Sequence, residues 1–268
     1  MNRLFEKQMQ DILKNEYPEF MKALEQPAVK AFYLNPHKKE AIKYLNKEFI
    51  QPHVVVKDGY YFNYEKYPLG KSPFFSCGLY YIQEPSAMLV THFLNIQKDD
   101  YILDMCAAPG GKTCAAASQL SEDGLMIAND IVPLRAKILS ENVERFGLKN
   151  TIVTNCDPLV FENQLKGFFD KIILDAPCSG SGTLDFNDNN IEKYFSKQLI
   201  DRSSSVQKTL LSKAIKLLKP GHEMVYSTCS ILQEENEENI QKYIKKGLVE
   251  IVPINLMQYE EIPKLPTK

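Results

Sequence analysis

The sequence contains no run of the roughly 18 uninterrupted apolar residues that a membrane-spanning helix requires. Its N-terminal stretch, Met1-Asn2-Arg3-Leu4-Phe5-Glu6-Lys7, carries acidic and amide side chains where a secretory signal peptide would be apolar. The hydrophobic share of 44% is sufficient for a buried core. We therefore expect a globular protein of the cytoplasm.

The chain also lacks the cysteine and histidine spacings of a zinc site. None of its six cysteines forms a Cys-x-x-Cys pair or lies near a histidine cluster. We expect reduced thiols, no bound metal and no disulfide framework. Three of the cysteines are interpreted as small buried hydrophobic residues: Cys77, Cys114 and Cys156.

The chain also lacks an excess of basic over acidic residues, because its formal net charge is -2. Dedicated nucleic-acid binders usually carry a basic excess, so any basic surface must be local. One segment concentrates basic residues against only Glu192 and Asp201, namely Lys193, Lys197, Arg202, Lys208, Lys213, Lys216 and Lys219. The alternative interpretation is a solvated face of two amphipathic helices. A later cluster is acidic and comprises Glu234, Glu235, Glu237 and Glu238.

The first seventy or so residues predict a small α+β unit. Apolar residues at helical spacing come first, and a short apolar strand follows at Ala31–Leu34. We then expect a helix from about His37 to Phe49. A hairpin is predicted around Asp58-Gly59, with strands at His53–Val56 and Tyr60–Phe62.

From Asp100 onward the pattern alternates between strands and helices, which is typical of a parallel sheet covered on both faces. The predicted strands are Tyr101–Met105, Leu125–Ala128, Thr151–Thr154, Lys171–Leu174, Glu223–Ser227 and Val249–Pro253. The best predicted helices are Lys112–Leu120, Leu134–Phe146, Val206–Leu218 and Glu234–Lys245, and a further helix is predicted before them from Pro85 to about Asn95. The fold class is therefore α/β.

Polar and glycine-rich motifs follow the ends of these strands, where parallel sheets bind ligands. The turn Ala107-Ala108-Pro109-Gly110-Gly111-Lys112 follows the first strand and lacks the Gly-x-Gly-x-x-Gly pattern of dinucleotide enzymes. Asp130 lies about 20 residues beyond Gly110, the spacing of a carboxylate that binds ribose hydroxyls. Asp157 and Asp175 end the next two strands. Together these residues predict a cofactor site.

Two cysteines stand in short motifs that suit covalent catalysis: Cys178 in Asp175-Ala176-Pro177-Cys178-Ser179-Gly180, and Cys229 in Tyr226-Ser227-Thr228-Cys229-Ser230. A thiolate that adds to carbon 6 of cytosine makes carbon 5 nucleophilic. One cysteine can attack while the other assists release, and a carboxylate can bind the amine edge of the base. The Pro-Cys motif of DNA cytosine methyltransferases would nominate Cys178 as the nucleophile.

At these motifs the chain resembles the Sun/Nop family of S-adenosylmethionine-dependent RNA cytosine-C5 methyltransferases, from about Pro68 to about Ile244. The resemblance implies a Rossmann-like class I methyltransferase sheet with a small N-terminal α+β unit. It nominates Cys229 as the nucleophile and assigns release to Cys178, with Asp175 at the cytosine amine and Lys112 as an activating cation. It also implies a set of cofactor-binding residues: Cys106, Ala107, Ala108, Pro109, Gly110, Gly111, Lys112, Asp130, Arg135, Asp157 and Asp175.

The resemblance further implies an RNA-contacting N-terminal unit at residues 1–75 and a methyltransferase domain at residues 76–268. The substrate would be a cytidine of ribosomal or transfer RNA, and we expect a monomer. An exocyclic-amine methyltransferase is disfavoured, because that chemistry needs no thiol and typically shows Asn/Asp-Pro-Pro-Tyr where this chain has Asp175-Ala176-Pro177-Cys178.

Two departures from the family pattern bear on function: the first puts a contact to the RNA backbone in doubt, and the second keeps another function open. Phe32-Tyr33-Leu34 stands where the family has an arginine in the N-terminal unit. No candidate exists for a further strand with a Gly-Glu-Gly-Phe-Phe-like segment, so we expect either a shortened domain or a fragment of a longer one. The alternative function is an RNA-binding assembly factor that retains the cofactor fold without turnover.

Overall fold

The computed structural model describes residues 3–183 and 195–254. Within them, chain contacts divide the protein into two compact units. The cysteine unit comprises residues 3–28, 174–183, 195–215 and 226–251, and the sheet unit comprises residues 29–173, 216–225 and 252–254. The division at residue 75 expected from the sequence stays a prediction.

Among the described residues, the α-helices are α1 (Arg3–Leu13), α2 (Tyr17–Leu24), α3 (Pro73–Ser76), α4 (Pro85–His92), α5 (Gly111–Ala117), α6 (Pro133–Phe146), α7 (Leu159–Gln164), α8 (Lys197–Leu217) and α9 (Glu237–Lys245). The strands are β1 (Lys30–Leu34), β2 (Ile50–Pro52), β3 (Gly59–Phe62), β4 (Tyr80–Gln83), β5 (Tyr101–Asp104), β6 (Leu125–Asn129), β7 (Thr151–Thr154), β8 (Phe169–Asp175) and β9 (Leu218–Ser227). No described helix combines the length and the apolarity that crossing a bilayer requires.

The larger sheet has the strand order β7-β6-β5-β8-β9. β5 pairs in parallel with β6 and with β8, and β6 pairs in parallel with β7. Its central strands are apolar runs buried on both faces, as in Ile102-Leu103 and Ile172-Ile173. This arrangement confirms the predicted α/β fold and brings the ends of β5, β6 and β7 to one edge of the sheet.

The smaller sheet is antiparallel, with the order β2-β3-β1-β4. Phe32 of β1 is fully buried and stacks on the ring of Tyr60 at 5.3 Å, and Tyr80 of β4 packs 5.1 Å from it. The segment Phe32-Tyr33-Leu34 therefore forms core where the family has an arginine.

Two predictions about this region were wrong in detail, and one strand was missed. The first strand of the hairpin is β2 and not His53–Val56, because the ring of His53 accepts the N–H groups of Val55 and Val56 through Nδ1 and folds these residues into a turn. β4 was not predicted. The helix expected at His37–Phe49 is two 3₁₀ segments, Pro36–Tyr44 and Lys47–Phe49.

The sixth strand predicted at Val249–Pro253 is absent from the described structure, which has no regular element after α9. A strand needs a neighbour to pair with and a buried face. Ile251 is 70% exposed and Val252 is 60% exposed, so neither has a buried face.

The cysteine unit is built around its own apolar cluster, formed by Phe5, Met9, Phe195, Ile200 and Leu232. Phe5 of α1 meets Phe195 edge-to-face at 5.6 Å. α8 was predicted from Val206 but begins at Lys197, so its first two turns complete this cluster.

Candidate active site

The glycine-rich turn of the sheet unit lies between β5 and α5. Ala107 N donates to the carbonyl of Asn129 at 2.8 Å, which fixes the turn to the end of β6. Gly110 has a φ of 114° at the N-cap of α5, and a Cβ there would lie 3.1 Å from Leu139 Cδ1. Only glycine adopts this backbone without strain, so the turn presents bare main chain.

Gly111 is required for a different reason. A Cβ on Gly111 would lie 2.4 Å from Gln83 Oε1 and 3.0 Å from Tyr81 Cε1, so the start of α5 packs closely against β4. Thr113 Oγ1 donates to the buried carboxylate of Asp104 at 2.7 Å and joins the same helix to β5. Lys112 lies half-buried between these two residues in the first turn.

Asp130 ends β6 and is only 2% exposed. Its Oδ1 accepts Val132 N at 3.0 Å, and its Oδ2 lies 3.2 Å from Arg135 Nη2 without a hydrogen bond from any described group. The same Arg135 nitrogen donates to the carbonyl of Ala108 at 2.7 Å. Arg135 therefore connects the predicted acid to the glycine-rich turn.

Asn129 is a positioning residue that the sequence interpretation missed. Its amide nitrogen donates to the carbonyls of Met105 and Cys156, and its Oδ1 accepts from Thr154 Oγ1 at 2.9 Å and from Cys156 N at 3.1 Å. One buried side chain thus joins the ends of β5, β6 and β7. The sequence offered one signal for it, an asparagine between an apolar strand and Asp130.

Asp157 lies just before α7 with an exposed side chain, whose Oδ1 accepts Leu159 N at 2.8 Å. The sheet unit therefore contains all the predicted cofactor residues except Asp175: Cys106, Ala107, Ala108, Pro109, Gly110, Gly111, Lys112, Asp130, Arg135 and Asp157. An almost buried carboxylate oxygen with no hydrogen bond fits the ribose hydroxyls of S-adenosylmethionine.

The cysteine unit contains Asp175, Cys178 and Cys229. Asp175 Oδ1 accepts Ser227 Oγ at 2.8 Å, and Ala176 N donates to Ser227 O at 2.9 Å. Both cysteines are free, and their Sγ atoms lie 2.7 Å apart. The structure therefore brings together the two thiols that the sequence singled out 51 residues apart.

The two thiols differ in their electrostatic surroundings. The hydrogen bond from Cys178 lowers the pKa of Cys229 to about 7, against the opposing effects of burial and the nearby charge of Asp175. The hydroxyl of Thr183 lowers the pKa of Cys229 further. The same thiol–thiol bond, together with burial, raises the pKa of Cys178. These opposite directions favour Cys229 as the thiolate of the pair, with Cys178 donating to it.

The loop after Cys178 folds back on Cys229. Gly182 N donates to Cys229 O at 2.9 Å, and a Cβ on Gly182 would lie 2.9 Å from that same oxygen. A larger residue at position 182 would push this loop away from the thiolate.

Comparison with known proteins gives a consistent picture. The family model described as 16S rRNA methyltransferase RsmB/F matches residues 91–264, and the N-terminal domain of 16S rRNA methyltransferase RsmF matches residues 1–85. Ribosomal RNA small subunit methyltransferase F of Vibrio vulnificus is 41% identical over 175 residues, which are 65% of this chain and 37% of that protein. The Aeromonas salmonicida protein of the same name is 40% identical over 186 residues, 68% of this chain and 39% of the relative.

Solved structures agree on the fold. A methyltransferase homolog protein from Pyrococcus horikoshii has a TM-score of 0.81 and 32% identity, covering 95% of this chain and 82% of that chain. NSun6 from Pyrococcus horikoshii shares the fold, with a TM-score of 0.77 at 22% identity over 91% of this chain and 87% of that one. The chain spans less than half the length of the two bacterial relatives. The family resemblance seen in the sequence is confirmed, and the chain belongs to the 16S rRNA methyltransferase RsmB/F family.

Proposed function

We propose that this chain transfers a methyl group to carbon 5 of a cytidine in 16S ribosomal RNA, through a covalent adduct between Cys229 and carbon 6. The observation that carries the proposal is the pair of free thiols 2.7 Å apart, in which the pKa of Cys229 is lowered. The family, and two relatives named ribosomal RNA small subunit methyltransferase F, support the choice of RNA.

The two cysteines take opposite roles in this mechanism. The Cys229 thiolate adds to carbon 6, which forms the S–C6 bond and turns the ring into an enamine with a nucleophilic carbon 5. After methylation the proton on carbon 5 is removed, the C5–C6 double bond re-forms and the S–C6 bond breaks. Cys178 first stabilises the thiolate by its hydrogen bond and then assists this release.

Asp175 and Lys112 keep the roles that the family resemblance implies. Asp175, oriented by Ser227 Oγ, would bind the exocyclic amine of cytosine and favour electron flow toward the ring. Lys112 would lower the pKa of the attacking thiol through its charge. Cys178 and Thr183 lower that pKa from within the cysteine unit, so the activation proposed for Lys112 would come in addition.

S-adenosylmethionine would supply an electrophilic methyl group. The glycine-rich turn at Cys106–Lys112 would line its methionine part, Asp130 would bind its ribose and Asp157 would approach its adenine amine. Arg135 would hold Asp130 and the turn in register through its two contacts. Ile131 follows Asp130 and is 59% exposed although apolar, which suits contact with a flat aromatic ring.

Trapping of the covalent protein–RNA adduct distinguishes the roles of the two cysteines. We expect Cys229→Ala to be inactive and to form no adduct. Cys178→Ala should methylate but release poorly, so a protein–RNA species should survive denaturing electrophoresis. The reactions are run near pH 8.5, where an unassisted thiol is about half ionised. Of the three cysteines expected to be buried, Cys114 is buried, Cys156 is partly exposed and Cys77 is exposed. Cys77→Ala, in the sheet unit, is therefore the control and should behave as wild type.

Two outcomes would change the conclusion. An adduct from Cys229→Ala and none from Cys178→Ala would make Cys178 the nucleophile, as the Pro-Cys motif alone suggests. No methyl transfer by the wild type and no adduct from either variant would favour the RNA-binding assembly factor.

The bacterial relatives also bear on where this chain acts and on which RNA it modifies. The relatives named above are bacterial, and we propose that this chain acts on ribosomal RNA in the cytoplasm. Bisulfite sequencing of total RNA with and without the protein would identify the cytidine. A modified position in transfer RNA alone would contradict the choice of 16S RNA.

A further inference from the structure

Glu235 is a buried carboxylate between the two cysteine loops. It belongs to the acidic cluster that the sequence shows after Leu232, yet it is 0% exposed. A carboxylate is rarely buried unless several donors compensate the lost hydration. The donors around Glu235 therefore indicate what this residue does.

The carboxylate accepts four hydrogen bonds. Oε1 accepts Ser179 N at 2.8 Å and Gln207 Nε2 at 3.3 Å, and Oε2 accepts Ser179 Oγ and Ser230 Oγ, each at 2.5 Å. Ser179 directly follows Cys178, and Ser230 directly follows Cys229. One side chain thus binds the residue next to each thiol.

A second connection follows from counting protons. Ser230 Oγ has one proton, and that proton is donated to Glu235, so Ser230 must accept from Ser181 Oγ at 2.8 Å. Ser181 Oγ in turn accepts Ile231 N at 3.0 Å. The charge of Glu235 therefore orders a chain of hydroxyl groups that crosses between the two loops twice.

The backbone of Glu235 and the amide of Gln207 are also held in place. Tyr226 OH donates to the carbonyl of Glu235 at 2.5 Å, and Asn239 Nδ2 donates to Gln207 Oε1 at 2.8 Å. The second bond fixes the orientation of the Gln207 amide, so its nitrogen must face Glu235. Gln207 Nε2 also donates to the carbonyl of Pro177 at 2.9 Å, directly before Cys178.

We propose that Glu235 is a positioning residue that sets the separation of the Cys178 and Cys229 thiols by binding both of their loops. It does not touch the reacting atoms. The inference rests on the proposed function for its role in methyl transfer, and its geometric part is independent of RNA and cofactor.

Glu235→Gln tests the proposal with a nearly isosteric change. An amide has one acceptor oxygen, so either two N–H donors lose their acceptor or the hydroxyls of Ser179 and Ser230 must reverse. Glu234→Gln is the matched control, because Glu234 is adjacent and its carboxylate contacts only partly exposed groups, Gln8 at 3.2 Å and Lys197 at 3.9 Å.

The first readout is the rate at which the azo oxidant diamide converts the two thiols into a disulfide. Each thiol loses one electron and one proton, and diamide is reduced to its hydrazine. We expect Glu235→Gln to slow this reaction roughly tenfold, because hydrogen bonds to a charged group are lost. Glu234→Gln should leave the rate unchanged. Peptide mapping by mass spectrometry identifies the Cys178–Cys229 product.

The second readout is the pH profile of Cys229 alkylation by iodoacetamide, with exposed Cys77 as the internal reference. Glu235→Gln should move the midpoint for Cys229 upward, because the Cys178 donor is no longer held beside it. A variant that is only less stable would show a lower melting temperature without this shift at temperatures where it is folded.

Single serine variants keep the test decisive if Glu235→Gln folds poorly. Ser230→Ala should slow adduct formation by Cys229, and Ser179→Ala should slow release through Cys178. The proposal is overturned if Glu235→Gln, or both serine variants, form the disulfide at the wild-type rate and show the wild-type pH midpoint for Cys229 alkylation. If the thiol readouts shift while the wild type transfers no methyl group, the proposed function fails and the positioning role stands.

Discussion

At the scale of single residues, the two thiols of this site are chemically identical, and their hydrogen bonds distinguish them. The hydrogen bond with Cys178 is the largest influence that favours the charged form of Cys229. Cys178 is deeper and donates to the sulfur beside it. The structure thus favours Cys229 as the nucleophile, where the motifs taken from the residues alone left both cysteines open.

The lowered pKa of Cys229 predicts a pH profile. Only the thiolate attacks, so the single-turnover methylation rate should rise with pH through about 7 and level off above it. In Cys178→Ala the hydrogen bond is lost, and the midpoint of Cys229 alkylation should move up toward about 8.5, the value of a free cysteine. Identical midpoints in wild type and variant would show that Cys178 does not activate its neighbour.

We expect the affinity for the cofactor to depend on the carboxylate of Asp130. Asp130→Asn should weaken S-adenosylmethionine binding by roughly 1.5 to 3 kcal/mol, because a charged acceptor for two hydroxyls becomes neutral. Titration calorimetry measures the change, and Asp123→Asn on an exposed turn of the same unit is the control. Equal affinity in wild type and Asp130→Asn would mean that Asp130 serves only to cap the turn at Val132 and to pair with Arg135.

At the scale of elements, the start of α5 is constrained by packing as well as by backbone conformation. Alanine normally stabilises a helical position relative to glycine. At Gly111 a methyl group would lie 2.4 Å from Gln83 Oε1 and 3.0 Å from Tyr81 Cε1. The end of the Gln83 side chain and the Tyr81 ring must both shift, so sterics oppose propensity. The close approach of β4 to α5 fixes where the glycine-rich turn begins.

Gly111→Ala should therefore destabilise the protein by about 1 to 3 kcal/mol, the range for overpacking. Gly147→Ala is the comparison, because Gly147 has a φ of 81° and nothing lies within 4 Å of its added Cβ. Its cost should be about 1 to 2 kcal/mol, from left-handed strain alone. Urea denaturation measures both, and a Gly111→Ala protein as stable as wild type would contradict the packing at β4.

Elements with a strong local pattern could be predicted from the sequence. β7 was predicted with its observed bounds, and the centres of β5, β6 and β8 were correct because apolar runs between turn residues specify buried parallel strands. β4 was missed because it is defined by pairing with β1, far along the chain. Val249–Pro253 has strand-like residues but no strand to pair with among the described residues, so the prediction of a sixth strand was wrong.

The sequence predicted the site residues that stand in recognisable motifs. It did not predict features that depend on contacts between residues far apart in the chain. Cys178 and Cys229 could be chosen from their motifs, and their 2.7 Å separation could not. Glu235 looked like a member of an acidic surface cluster, because its sequence neighbours are polar and its donors come from residues 179, 207 and 230. Burial of a charge depends on such distant partners, which no local pattern records.

At the scale of the whole molecule, the net charge of -2 makes RNA binding depend on how lysine and arginine are distributed. Several lysines of the basic segment are already paired within their own units. Lys197 contacts Asp201 at 2.9 Å, Lys216 contacts Glu162 at 2.5 Å and Lys219 contacts Asp170 at 2.6 Å. Lys193, which the sequence placed in the same segment, lies outside the described residues. Phosphate contacts would compete with these internal pairs.

The basic segment can be tested by the salt dependence of RNA binding. Each phosphate contact contributes about 0.7 to 0.9 to the slope of log K against log salt, so replacing Lys193, Lys197 and Arg202 together by glutamine should reduce the slope by up to about 2 to 3. The control replaces Lys98, Lys149 and Lys166, three exposed lysines of the sheet unit, and removes the same charge. Filter binding at several salt concentrations measures both slopes. If the two variants change the slope equally, the effect comes from net charge, and if the first leaves it unchanged, the RNA path lies elsewhere, with the N-terminal residues 1–75 as the next region to test.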